Sequence, residues 1–157
     1  MESLEAVVAK VALFQGMKRD HIALLSGCAA DVRYEAGAYP SRAGTHSDRF
    51  WVVREGRLAL ELWAPGRGSI TVATMTPGDV VGFSWLVPPY QTQFDVHAVA
   101  PTRALLFDGR ALRERCERDP ELGYHLMSRF SGLMVDRILV LTMQLLDIYG
   151  DHPVEQS

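Results

Sequence analysis

Glycine punctuates the middle of this chain more tightly than any other feature. Between Asp31 and Asp108 it stands at positions 37, 44, 56, 66, 68, 78 and 82. Short β-rich runs fit between these turns, and seven or eight strands follow from the spacing. "FWVVREGRLALELW" sets Glu55-Gly56 between two such runs and predicts a hairpin. In its second run Leu58, Leu60 and Leu62 alternate with Arg57, Ala59 and Glu61, so one face belongs to a core. "APGRG" predicts a second hairpin closing on "SITVATM", and Pro77-Gly78 occupy the centre of a type II turn in "TPGD". Phe94, Val96 and Ala98 alternate next, and "RALLF" supplies the last strand. Strands of this number and spacing make a sandwich, jelly roll or barrel.

Helical periodicity frames that zone on both sides. Leu4, Val7, Val8 and Val11 recur at helical spacing, and "LFQGMKRDHIALLSGC" reads as helix, glycine turn, helix. Asp119-Pro120-Glu121 starts a longer helix, with a capping Asp, Pro in the first turn and an acid at the positive end. Met127, Phe130, Met134, Ile138, Leu141, Leu145 and Ile148 then repeat every three or four residues, beside a second stripe of Leu126, Leu133 and Val140. Beyond Arg137 the run "ILVLTMQLLDIY" is apolar nearly all round, so it must be covered on more than one side. The sandwich covers one side and a second copy of the chain the other. Gly150 stops the helix, and seven mostly polar residues follow. The expectation is a mainly β chain with helices. It forms one domain over 1–157: N-terminal helices to 30, strands over 31–108, C-terminal helices over 109–150.

Composition removes several functions. Apolar residues make up 48% of the 157 positions and charged residues 22%, which suits a folded core. A net charge of −3 argues against a nucleic-acid surface. Arg110, Arg113, Arg115 and Arg118 are interleaved with Glu114, Glu117 and Asp119, as on a solvated helix face. The longest apolar run, Ile138–Met143, falls far short of the roughly 20 residues of a membrane span. The N-terminus has two early glutamates and no basic region of a secretory signal. Cys28 and Cys116 match no metal spacing and fit reduced packing residues, so a cytoplasmic location is expected. The histidines at 21, 46, 97, 125 and 152 form no ligand pair, and His97 reads as an exposed strand residue. Two thiols cannot hold an iron–sulfur cluster, and Ser84 lies in no nucleophile elbow. Binding rather than catalysis is expected.

The stretch Gly78–Ala98, "GDVVGFSWLVPPYQTQFDVHA", is built like a phosphate cradle yet holds no Arg or Lys. Together with "YEAGAYPSRAGTHSDRFWVVREGRLAL", the strands carrying "REG", "PGD" and "GxSxL" and the long helix resemble the cyclic nucleotide-binding domain. More narrowly, they resemble the sensor half of the bacterial catabolite-activator/fumarate-nitrate regulator family, from about Phe14 to Tyr149. The resemblance implies a double-stranded β-helix (jelly roll) with short N-terminal helices and a long C-terminal dimerisation helix. It also implies a phosphate cassette in which a glycine, an acid for the ribose hydroxyl and an arginine for the cyclic phosphate follow "PGD". Gly78, Asp79 and Gly82 match. Phe83 replaces the acid, and the arginine position falls at Thr92 or Gln93. Each lost charged hydrogen bond costs about 1.5–3 kcal/mol, so binding in the usual mode would weaken ~100-fold or more. No cofactor is expected, and a cyclic nucleotide held in the usual way is unexpected.

Candidate ligand residues are therefore Gly82, Phe83, Ser84, Trp85, Gln93, Phe94 and Thr142. Phe83, Trp85, Tyr90 and Phe94 either form an apolar pocket for a planar ligand or plug the space left by the missing charges. Ser84, Gln93 and Thr142 offer neutral hydrogen bonds, with Thr142 within about a residue of the family's base-contacting hydroxyls. Dimerisation is assigned to Phe130, Met134, Ile138, Leu141 and Leu145. In the family a helix-turn-helix domain follows the long helix, whereas this sequence ends within ten residues of it. The expectation is a stand-alone homodimeric sensor that touches neither nucleic acid nor membrane and signals through a protein partner. Short relatives with a similar "SWL-PPY" loop accompany bacterial redox enzymes such as nickel–iron hydrogenases, so the resemblance implies a redox enzyme as that partner. The competing expectation is a scaffolding dimer with a filled pocket.

Overall fold

The computed structural model of the chain describes residues 2–150, with side chains to residue 147. The Ile148 side chain and the polar tail 151–157 lie outside the described residues. Seven strands are present among them: β1 (Ala29–Tyr34), β2 (Arg49–Glu55), β3 (Leu58–Ala64), β4 (Gly68–Met75), β5 (Val80–Val81), β6 (Asp95–Ala98) and β7 (Thr102–Asp108). They form two antiparallel sheets, ordered β1-β7-β2-β5 and β4-β3-β6. This is the jelly-roll architecture expected.

The first sheet is covered on both faces, which explains the unbroken apolar run at the start of β2. Trp51 and Val53 face the second sheet beside Leu58, Leu60, Val81, Val96 and Ala104. Phe50 and Val52 face the helices beside Phe14, Leu105, Phe107 and Phe130. A strand with two buried faces shows no alternation.

Glu55-Gly56 is a corner, not the hairpin expected. β2 pairs with β5 and β7, while β3 pairs with β4 and β6, so the chain changes sheets there. Gly56 has φ +85°, and a Cβ on it would lie 2.2 Å from the Pro101 carbonyl oxygen. Thr102, buried beneath, accepts from the Arg57 N–H at 3.2 Å and donates to the Ala100 carbonyl at 2.8 Å. The local signal of a tight turn is the same for a hairpin and a corner; the partners of the flanking strands decide. The Ala64↔Gly68 pairing does close the second hairpin. The Thr76–Asp79 turn forms with the Asp79 N–H on the Thr76 carbonyl at 2.9 Å. The alternation expected along β3 fails at Leu62, which is exposed because the register shifts between Leu60 and Glu61.

Among the described residues four helices complete the fold, α1 (Leu4–Ala9), α2 (Arg19–Gly27), α3 (Gly109–Arg118) and α4 (Pro120–Gly150), with a 3-10 turn at Ala12–Phe14. The Asp119 carboxylate caps α4 through the Leu122 N–H at 3.2 Å. It is held below the usual carboxylate range by that bond first and by His21, 3.1 Å away, second. Lys18 pairs with Glu121 at 2.6 Å, and Arg129 donates to the Leu13 and Gln15 carbonyls at 2.8 Å each. These contacts fix the near half of α4 against the N-terminal helices.

Phe130 corrects the assignment made for it. It is 0% exposed and packs edge-on against Phe50, Trp85 and Phe83, so it serves the core of its own chain and is not available to a second copy. Met134, half-buried, packs on the same core. Farther along, Ile138, Leu141 and Leu145 are 61%, 44% and 54% exposed, with Val135, Leu139, Val140, Met143 and Leu146 exposed beside them. No helix among the described residues is long and apolar enough to cross a membrane.

Candidate ligand pocket

The cassette loop runs from Gly82 to Phe94 and is anchored at three points. Gly82 (φ +104°) passes so close to β2 that a Cβ would sit 3.1 Å from the Arg49 carbonyl oxygen. Arg113 of α3 donates to the Trp85 carbonyl at 2.5 Å and to Asp48 at 2.7 Å, and lies 4.1 Å from the Tyr90 ring centroid. Thr92 donates to the Arg42 carbonyl at 2.7 Å. Arg113 is thus a half-buried clamp rather than part of a solvated face, because it borders the cassette that folds over α3. The bond from Arg113 holds the Asp48 carboxyl below the usual range.

A cavity of about 100 Å³ lies between the cassette, β2 and α4. Five of the seven candidate ligand residues line it: Gly82, Phe83, Ser84, Gln93 and Phe94. Trp85 does not. It is 0% exposed, stacked on Phe50 at 4.9 Å, because its 3-10 turn (Ser84–Leu86) points it into the helix-side core. Thr142 does not reach the cavity either. It is exposed, five residues beyond Arg137, and its hydroxyl donates to the Ile138 carbonyl at 2.8 Å. His97, expected to be exposed, is half-buried; it pairs with Glu61 at 3.2 Å and stacks on Tyr39 at 4.3 Å, away from this cavity.

Sequence reasoning missed several cavity residues, among them the acid Asp48 and two cations. Arg49 enters from the start of β2 and Arg137 from α4. The Arg137 guanidinium donates to the Val80 carbonyl at 3.1 Å, touches the Met75 sulfur at 3.4 Å and lies 4.4 Å from the Phe83 ring centroid. Burial lowers its affinity for the proton, and nearby Asp79 only partly offsets that. Arg49 donates to the Pro40 carbonyl at 3.2 Å and lies 5.3 Å from the Trp51 ring centroid. Among the described residues, neither arginine has a carboxylate within 4.0 Å. The available signal was a single charged pair, Asp136-Arg137, set in a long apolar helix.

Phe83 stands where an acid was expected and joins the cassette to α4. Arg137 covers its face, and Phe130 meets its edge at 6.0 Å. On its other side runs an open groove of about 270 Å³, lined by Val87, Pro88, Pro89 and Met134 and sharing Phe83, Ser84 and Gln93 with the cavity. The pocket therefore offers aromatic walls, two guanidinium groups, the Arg113-paired carboxylate of Asp48 and neutral hydrogen-bonding side chains, bordered by α4.

The same arrangement of strands and helices recurs in known proteins. A protein from Geobacter metallireducens GS-15, assigned to the cyclic nucleotide-binding proteins, superposes with a TM-score of 0.78 at 22% identity, over 88% of this chain and 99% of its own. A cyclic nucleotide-binding domain from Methylobacillus flagellatus KT gives 0.77 at 18% identity, over 92% and 81%. In sequence, the CRP-like cAMP-activated global transcriptional regulator of Mycobacterium tuberculosis is 23% identical over 124 residues, or 79% of this chain. The chain spans about half the length of that curated relative, 55% of it. The model of the cyclic nucleotide-binding domain matches residues 31–119, from β1 through the cassette to the end of α3. That match takes in more than half of the chain, including every strand but the start of β1, and on it the chain belongs to the cyclic nucleotide-binding domain family.

Proposed function

We propose that the chain is a non-catalytic sensor whose pocket is read out by α4, and that its ligand is not a cyclic nucleotide held in the usual mode. Membership of a family of regulatory binding domains supports the regulatory part. The single observation that carries the mechanism is that α4 itself builds a pocket wall, through Arg137 on the cavity and Met134 on the groove. A ligand there pushes or pulls on Phe83 and Arg137, and both bear on the helix. The far half of α4, with Ile138, Leu141 and Leu145 exposed, associates with a second copy, and occupancy shifts that dimer between two arrangements. A protein partner, a redox enzyme by the "SWL-PPY" resemblance, reads the difference in the cytoplasm without direct contact to nucleic acid.

A second reading is favoured by the cavity's volume. About 100 Å³ is well below the ~300–1,000 Å³ of common ligand sites, and Phe83 and Phe94 occupy space a ligand would need. On that reading the chain is a scaffolding dimer with a filled pocket. A thermal-shift screen with cyclic AMP, cyclic GMP, cyclic dinucleotides and haem separates the two. A genuine ligand at a hundredfold excess over Kd stabilises by ~2.7 kcal/mol. Silence throughout supports the scaffold. A response to cyclic AMP at micromolar Kd would show that the missing cassette charges do not exclude the usual ligand.

A further inference from the structure

We propose that the pocket takes a small organic anion with one aromatic ring, gripped by Arg49 and Arg137 rather than by the cassette. The inference rests on the sensor reading of the same cavity and gives its ligand a chemical class. Two guanidinium groups border one cavity, and among the described residues no carboxylate lies within 4.0 Å of either; the one carboxylate of the lining, Asp48, is already paired with Arg113 at 2.7 Å. Arg137 is half-buried with no carboxylate within hydrogen-bond reach, so an anion in the cavity would restore the solvation its guanidinium has lost. Arg137 spends bonds on the Val80 carbonyl and Met75, and Arg49 on the Pro40 carbonyl. A guanidinium has five N–H donors, so each keeps donors to spare.

The neutral groups agree. The hydroxyls of Ser41 and Ser84 and the amide of Gln93 line the cavity and make no side-chain hydrogen bond among the described residues. Trp51, Phe83 and Phe94 supply flat apolar walls, and the cavity's small volume limits the body to about one ring. The anion-binding end has moved from the cassette, where the loop has no cation, to β2 and α4. An anion bound there ties α4 directly to the sandwich.

The test is isothermal titration of the full chain with three probes: phenyl phosphate, inorganic phosphate and adenosine. Phenyl phosphate should bind, inorganic phosphate should bind at least tenfold more weakly, and adenosine should give no heat. Arg49→Gln and Arg137→Gln should each weaken phenyl phosphate about tenfold or more, and raising the salt should weaken it further. Arg137 also holds the Val80 carbonyl, so Arg137→Gln is accompanied by Arg49→Gln, a side chain that among the described residues makes one hydrogen bond, to the Pro40 carbonyl. Equal affinity of phenyl phosphate for the wild type and for Arg49→Gln overturns the inference. Binding of adenosine alone, unchanged in both variants, also overturns it but leaves the sensor reading standing. Silence with these probes and with the cyclic nucleotides and haem overturns both.

Discussion

Replacing Gly56 by alanine tests the corner that joins the two sheets. At φ +85° an alanine costs roughly 1–2 kcal/mol, partly offset by the ~0.4–1 kcal/mol it removes from unfolded-chain entropy. The steric demand comes on top. The new Cβ would lie 2.2 Å from the Pro101 carbonyl oxygen, 2.7 Å from Thr102 Oγ1 and 2.8 Å from Thr102 Cα, so the strand opposite must retreat by about an ångström. That retreat breaks the bonds Thr102 makes with Arg57 and Ala100, each worth about 1 kcal/mol. Gly37→Ala is the control, since Gly37 has φ +93° with nothing within 4 Å of the added Cβ. Equilibrium urea unfolding should show Gly37→Ala destabilised by about 1 kcal/mol and Gly56→Ala by ~3–5 kcal/mol, a midpoint shift of about 2 M at an ordinary slope. If the two midpoints coincide, the crowding between Gly56 and Pro101 is not a constraint on the fold and the corner tolerates a side chain.

Other perturbations follow from the same contacts. Arg113→Ala should loosen the cassette and cost about 2–4 kcal/mol, because two charged hydrogen bonds and the Tyr90 stack are lost together. Part of that deficit is linked to pH. Asp48 titrates below its ordinary value of about 4 when folded, so the pair stabilises above that value and fades as pH falls through the lower folded one. Urea midpoints of the wild type and Arg113→Ala should therefore converge in strong acid, and a constant gap would exclude the Asp48 pair as the cause. Ile138→Glu combined with Leu145→Glu should give a monomer by light scattering with unchanged circular dichroism, whereas Phe130→Ala should cost about 3–5 kcal/mol because it empties the core. Burial pushes the Cys116 thiol up to about 11, chiefly by desolvation, and raises Cys28 as well. At pH 8 only about a thousandth of Cys116 is thiolate, so Ellman's reagent should label it slowly until the chain is unfolded; rapid labelling of the native chain would contradict its burial.

Much of the architecture is legible in the sequence. Positive-φ turns at the glycines, a β-hairpin at "APGRG" and the Asp119-Pro120 helix start all form as read, because each depends on backbone conformations set within a few residues. So does the family, whose signature glycines sit in those same turns. Five of the seven ligand candidates reach one cavity because they share a single loop. Trp85 leaves the cavity through its own 3-10 turn, and the other failures are long-range. Gly56 looks the same in a hairpin and in a corner, and only the pairing of β2 with β7 distinguishes them. Phe130 and Ile138 share one helical stripe, yet the sandwich covers the first and leaves the second open, a boundary set by where the sheet ends. Arg113 passes from solvated face to clamp because the cassette folds over it. Arg49 lies 33 residues before the cassette and Arg137 lies 55 after it, counted from Gly82. No loop motif could reveal that they bring charge to the pocket. Local chain stereochemistry chose the strands and turns, while the charge inside the cavity was decided by which distant side chains the packed sheets and helix carry to it.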